Sequence, residues 1–241
     1  ISQLIGGLLL IVPLLIWQEP FPGYVDLLWG AAGGVCGVVG ITAFYIGLAN
    51  GRMGVVAPVA AVVTASLPVL AGVFIEGFPP AIKYLGFALG MVSIWLISGS
   101  STDSGIKFKE LGLPILAGVC FGAFFIFLDQ AADTALIWPL IGTRLTSISL
   151  VLIASLVLRK PLLPTKDKIP LIAIAGLLDT GGNLFYMLAA RAGRLDIAAV
   201  LSSLYPAATV LLARLVLKEL INHWQLIGIL AAMGAVVLIA I

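Results

Sequence analysis

Nine apolar runs, each about as long as a bilayer is thick, leave this chain few ways to fold. A hydrocarbon core of about 30 Å is crossed by about 20 helical residues rising about 1.5 Å each. The runs lie at roughly 1–17, 27–49, 53–75, 82–99, 111–130, 136–158, 169–190, 196–217 and 223–241. They lack the strict apolar–polar alternation of barrel strands, so they predict helices. Composition agrees: 61% of the residues are hydrophobic, 10% are charged, and mean hydropathy is +1.20. A soluble domain carries about 25% charged residues. The expected fold is therefore an all-α integral membrane protein with the lipid bilayer as its main solvent.

Charge and metal-ligating residues narrow the function classes. A net charge of +2, with no run of Lys or Arg longer than two, argues against a nucleic-acid partner. Cys36 and Cys120 lie inside apolar runs and read as small packing residues. His223 falls at a span boundary, and no His, Cys or carboxylate cluster has ligand spacing, so no metal or cofactor is expected.

The most polar internal stretch, Ser98 to Glu110 (SGSSTDSGIKFKE), combines Gly, Ser and charge as linkers do. It separates two similar halves. AFYIGLANGRMGVVAPV, TASLPVLAGVF and YLGFALGMVSIWLIS precede it; LFYMLAARAGRLDIAAV, SSLYPAATVLL and QLIGILAAMGAVVLIA follow in the same order. Phe44-Tyr45 recurs as Phe185-Tyr186, Pro68 as Pro206 and Gly86 as Gly228, at offsets of about 140 residues that drift by a few. The division is a first repeat over 1–99, a linker over 100–110 and a second repeat over 111–241. The second repeat holds five spans and the first four. A five-helix unit is expected, with the first of ten helices absent from this chain. An odd number of helices inverts the second copy relative to the first, the arrangement of many secondary transporters whose site lies where the repeats meet.

The run GRLDIAAVLSSLYPAATVLLARLVLKE, followed by QLIGILAAMGAVVLIA, resembles the signature of the EamA-type transporters in the drug/metabolite transporter superfamily. GRMGVVAPVAAVVTASLPV in the first half resembles it as well. The resemblance implies a ten-helix carrier that exports amino acids, other metabolites or drugs. It places the protein as a multi-pass chain in a cell membrane, with a prokaryotic inner membrane as the expected location.

Charged residues inside spans cost about 2.5–3.5 kcal/mol each on insertion scales, so each needs a reason. Arg144 lies about eight residues into the sixth run and Asp179 near the middle of the seventh. The two runs are antiparallel, which puts these side chains about 12 and 16 Å from one face and within reach of an ion pair. Such a pair binds a charged or zwitterionic solute, titrates during transport, or locks two helices. Asp179, Asn183 and Tyr186 recur at i, i+4 and i+7 on one helix face. Ser202, Tyr205 and Thr209 form a similar stripe on the next span, with Thr42 and Tyr45 as a first-half counterpart. These stripes either line a solute path or bond helix to helix. Pro58, Pro68 and Pro206 fall within repeat-related spans, where each removes a backbone hydrogen bond and is expected to bend its helix, as a gate or as a fixed kink. Gly33/Gly37, Gly86/Gly90 and Gly118/Gly122 allow close helix contact. Trp17, Trp29, Trp138 and Trp224 mark span ends. Asp129 beside Gln130, and Arg214 with Lys218, lie near span ends and reach the interface by snorkelling.

The leading expectation is an alternating-access carrier with a small-molecule substrate and a coupling proton. An intramembrane enzyme using Asp129 and Asp179 as a carboxylate dyad is the weaker alternative, because a dyad needs both groups close enough to share a proton. A passive pore or assembly subunit is the third. Basic residues cluster on the side where the first run begins (Arg52, Lys107, Lys109, Arg159, Lys160, Lys166, Lys168, Lys218), against Lys83, Arg191 and Arg194 opposite. The positive-inside rule puts that side in the cytoplasm. The family arrangement, with both ends of ten helices cytoplasmic, puts it outside. A cysteine placed in the 159–168 loop separates the two: labelling of intact cells by an impermeant thiol reagent supports the family arrangement, and labelling only after permeabilisation supports the charge rule.

Overall fold

The computed structural model describes residues 1–50, 53–75, 77–99, 111–159, 165–193, 195–202 and 223–240. Every regular element among them is helical. In chain order the α-helices are α1 (Ser2–Leu9), α2 (Ile11–Trp17), α3 (Tyr24–Asn50), α4 (Met53–Ile75), α5 (Ala81–Gly99), α6 (Gly112–Ala132), α7 (Ile137–Leu158), α8 (Ile169–Ala192), α9 (Leu195–Ser202) and α10 (His223–Ala240), with a 3-10 turn over Lys166–Lys168 leading into α8. Four stretches, Tyr24–Ala49, Gly112–Ala132, Ile137–Leu158 and Ile169–Ala192, are long and apolar enough to cross a membrane. The linker expected over 100–110 lies outside the described residues.

The first apolar run differs from a single straight span. It is two helices divided at Leu10, and Pro13 gives the reason: it has no N–H for the Leu9 carbonyl one turn back. Gln18 then ends α2 in the left-handed region, at φ 48°. In contrast, α4 is assigned as one helix through Pro58 and Pro68. Proline near the start of α7 (Pro139) and of α8 (Pro170) is tolerated, because first-turn N–H groups have no helical acceptor.

The chain packs as two compact units, each drawn from both halves of the sequence. One comprises residues 1–38 and 124–193; the other comprises 39–123 and 194–241. Helices α3 and α6 contribute residues to both.

In the first unit, backbone-to-backbone approach sets the packing. A Cβ on Gly34 of α3 would stand 2.7 Å from the Thr143 carbonyl oxygen of α7, and one on Gly30 would fall on the Pro139 carbonyl. From the other side, Gly142 approaches the Leu27 carbonyl as closely, at 2.8 Å. The Thr143 hydroxyl shares its proton between the Gly30 carbonyl across the interface (2.9 Å) and the Pro139 carbonyl behind it (3.0 Å). Gly33 and Gly37, on the neighbouring face of α3, meet the Phe124 ring of α6 at ordinary contact distance. Thus α3 presents one glycine pair to α7 and another to α6. This small-residue packing is what lipid-solvated helices require, since apolar burial does not drive them together.

Polar contacts tie two turns of this unit together. The Glu19 carboxylate accepts from the Leu136 N–H (2.8 Å) and the Ile137 N–H (3.0 Å), capping the start of α7. Trp138 Nε1 donates to the Glu19 carbonyl at 3.2 Å, and Phe21 meets the Trp138 ring edge-on at 5.1 Å. Nearby, the Thr134 hydroxyl donates to the buried Asp26 carboxylate at 2.6 Å.

The second unit is held by small apolar contacts. Ala61 of α4 and Ile94 of α5 pack with Ala232 of α10, and Ala65 with Phe87 is covered by Ile197 and Leu201 of α9. Ala43, Ala60 and Ala117 join α3, α4 and α6. Gly118 and Gly122 of α6 lie against Val63 and Leu67 of α4. Buried hydroxyls are satisfied along their own helices, Thr64 to the Ala60 carbonyl and Ser93 to the Gly90 carbonyl, each at 2.7 Å.

Gly34→Leu should therefore destabilise the protein by at least about 2 kcal/mol, because the group in the way is backbone and cannot swing aside. Gly182→Ala, where a Cβ meets nothing within 4 Å among the described residues, should change stability little. Thermal melting in detergent checks the contrast; equal melting points for the two variants would contradict the close approach of α3 and α7.

Candidate functional site

The most polar buried position in the first unit is Arg144, the eighth residue of α7. Its side chain is 4% exposed and crosses to α8, where Nη1 donates to Asp179 Oδ2 at 2.7 Å. The same nitrogen donates to Gln3 Oε1 of α1. Gly7 of α1 lies against the Arg144 stem, where a Cβ would meet it at ordinary contact distance, 3.6 Å. The expected ion pair between the sixth and seventh runs is therefore present. A third helix, from the other half of the sequence, joins it.

The two partners differ in access. Asp179 keeps 45% of its side chain exposed, whereas Arg144 is sealed. Arg144 Nε and Nη2 are both buried and have no hydrogen-bond acceptor among the described residues. The Thr180 hydroxyl, next in sequence to Asp179, is likewise buried without a partner there. Thr180 also lines an apolar crevice of about 240 Å³, with Leu9, Pro13 and Trp17 on one wall and Gly181 and Leu184 on the other.

The other residues expected to carry function are placed as follows. Asn183 is half-buried one turn beyond Asp179 on α8. Tyr186 is 3% exposed; its ring stacks on Phe125 at 4.4 Å and its hydroxyl donates to the Phe125 carbonyl at 2.8 Å. Arg144, Asp179, Asn183 and Tyr186 thus share the first unit. Thr42 and Tyr45, both exposed on α3, belong to the second unit with half-buried Ser202 and buried Pro68. Pro58 lies within α4, and Tyr205 and Pro206 lie outside the described residues.

Gln3, Thr180, Glu19, Asp26 and Pro13 were not among the expected residues. Pro13 carried a readable signal, a proline inside an apolar run. Glu19 and Asp26 did not, since a carboxylate at a span end looks the same in sequence whether it meets water or caps another helix. Gln3 and Thr180 are uncharged and stand out only once Arg144 is seen beside α1 and α8.

Known proteins point the same way. Residues 109–241, more than half of the chain, match the EamA-like transporter family. No curated protein matches. A solved structure titled only "Crystal structure of protein" is similar, with a TM-score of 0.77 at 18% identity, over 98% of this chain and 84% of that one. At that identity the likeness concerns the fold. With its apolar membrane-crossing helices and this family match, the chain is a multi-pass membrane protein and belongs to the EamA-like transporter family of the drug/metabolite transporter superfamily.

Proposed function

We propose that this transporter is a secondary carrier that exports a small metabolite from a prokaryotic cell by alternating access. The transport unit in this reading is an inverted pair of five-helix repeats, 1–99 and 111–241 around the 100–110 linker. The observation that carries the proposal is the Arg144–Asp179 pair, one partner sealed and the other half-exposed, with Gln3 from the first half also accepting from Arg144. An ion pair at this depth is costly in lipid and is kept where a path for solute or protons needs it.

The roles follow from access. Arg144 holds a fixed positive charge; Asp179, open on one side, receives the solute or a coupling proton. Asn183 and Tyr186 continue the same helix face, and Thr42, Tyr45, Ser202 and Tyr205 are the further residues this reading assigns to solute translocation. Pro58, Pro68 and Pro206, each without an N–H for the helical ladder, are the points this reading assigns to gating. Membership of a transporter family favours this over an intramembrane enzyme with Asp129 and Asp179 as a dyad. A passive pore would not concentrate solute.

The exported solute is identified by mass spectrometry of medium from expressing and non-expressing cells, and transport is then measured in proteoliposomes. Asp179→Asn should lower the rate at least tenfold and abolish its pH dependence; unchanged pH dependence would remove proton coupling from the mechanism. Stability separates transport from packing. Losing one partner of a buried pair costs up to about 3–5 kcal/mol, and less here because Asp179 is half-exposed. Arg144→Met with Asp179→Leu removes both charges, so it should melt above Asp179→Asn alone yet remain inactive. A stable and fully active double variant would make the pair structural only.

A further inference from the structure

Helix α2 stands apart from its neighbours. None of its seven residues is buried, and Leu15 and Ile16 are exposed, whereas Leu10 just before it is fully buried. Between α2 and α8 lies the apolar crevice, with Val12, Pro13 and Ile16 on one wall and Gly181 and Leu184 on the other. At about 1.5 Å per residue, one wall is about 12 Å long from Leu9 to Trp17 and the other about 6 Å long from Thr180 to Leu184. A volume of about 240 Å³ over those lengths has a section of about 20–40 Å², against about 80–110 Å² for a helix about 10–12 Å across. One extended chain fits this space, and a helix does not.

The walls also select by polarity. The Thr180 hydroxyl faces α1, where a Cβ on Gly6 would fall on it, and apart from the Trp17 indole the other lining side chains are hydrocarbon. A buried water needs about two to four polar partners, and an apolar cavity of about 150 Å³ stays dry and takes up hydrocarbon instead. Trp17, half-exposed where the span ends and followed by Gln18 and Glu19, sets one end of the crevice at headgroup level. From there the crevice runs inward to Leu9.

We propose that this crevice is a binding site for one acyl chain of a membrane phospholipid, its ester end level with Trp17 and its chain lying along α2 toward Leu9. The proposal needs the membrane placement of the chain and is independent of the transport reading. Gly181 offers a way to test it. A Cβ there meets nothing within 4 Å among the described residues, so a larger side chain fills the crevice without displacing backbone.

Native mass spectrometry reads occupancy directly. Full-length protein, delipidated in detergent, is titrated with a phosphatidylcholine carrying a photoreactive diazirine midway along one chain, and crosslinked peptides are sequenced after irradiation. The expected result is saturation at one retained lipid, with crosslinks on residues 9–17 and 181–184. Gly181→Leu should weaken binding at least about tenfold and Gly181→Ala about threefold, while Ala154→Leu on the exposed side of α7 leaves it unchanged. Melting points confirm folding, and if the leucine variant does not fold, the alanine variant and the crosslink map decide. Glycerophosphocholine, the headgroup without chains, should not bind. No retained lipid, binding unchanged in a folded Gly181→Leu, or binding of glycerophosphocholine overturns the proposal. Crosslinks spread over outward side chains such as Leu156 and Val157 in proportion to exposure overturn it in favour of ordinary lipid contact. A dimer that Gly181→Leu dissociates overturns it in favour of a second copy of the chain.

Discussion

A charge buried among apolar helices has to find its counter-charge inside the protein, and the first unit is arranged around that need. Arg144 of α7 reaches Asp179 of α8 beside α1, which packs against both helices. Gln3 completes the contact from a helix more than a hundred residues away in sequence. Such a pair contributes little net stability compared with well-packed apolar side chains, and losing either member is costly. It therefore specifies which helices must be neighbours more than it strengthens their contact.

Between the other helices, close approach replaces charge. Lipid tails solvate leucine as well as a protein interior does, so apolar area alone gives helices no preference for each other. The glycines of α3 lower the separation from α7 until backbone meets backbone, and the Thr143 hydroxyl adds a hydrogen bond that lipid cannot offer. At one end of these helices, Glu19 caps α7 while Thr134 binds Asp26, so two turns from different halves of the sequence hold each other. Each contact satisfies a polar group that would otherwise face hydrocarbon or an unfilled helix end.

How much of this could be read from the residues follows from the range of each interaction. Apolar runs report helices because the bilayer imposes one length on every span, and the described helices match the predicted runs with ends that differ by about one to three residues. The Arg144–Asp179 pair was legible because two costly charges stood at compatible depths in adjacent antiparallel runs. The helix break at Leu10 was legible in principle from Pro13. The facing of the glycines was not: Gly30/Gly34 and Gly33/Gly37 have the same spacing, and only the helix orientation assigns the first to α7 and the second to α6. Tyr186 shows the same limit, since its hydrogen-bond acceptor is the main-chain carbonyl of Phe125, a group every residue has. Glu19 with α7 and Asp26 with Thr134 join residues over a hundred positions apart, and no local pattern announces them.

Membership of the EamA-like transporter family and the Arg144–Asp179 pair meet in one claim, that a carrier with alternating access moves its solute past this pair. Exchange is the most direct measurement. Proteoliposomes are loaded with unlabelled solute, the one exported by expressing cells, and entry of labelled solute is timed against empty vesicles. A carrier returns faster when loaded, so internal solute should accelerate entry several-fold in the wild type and not in the Arg144→Met, Asp179→Leu double variant. Entry indifferent to internal solute, or equal acceleration in the double variant, would contradict the account.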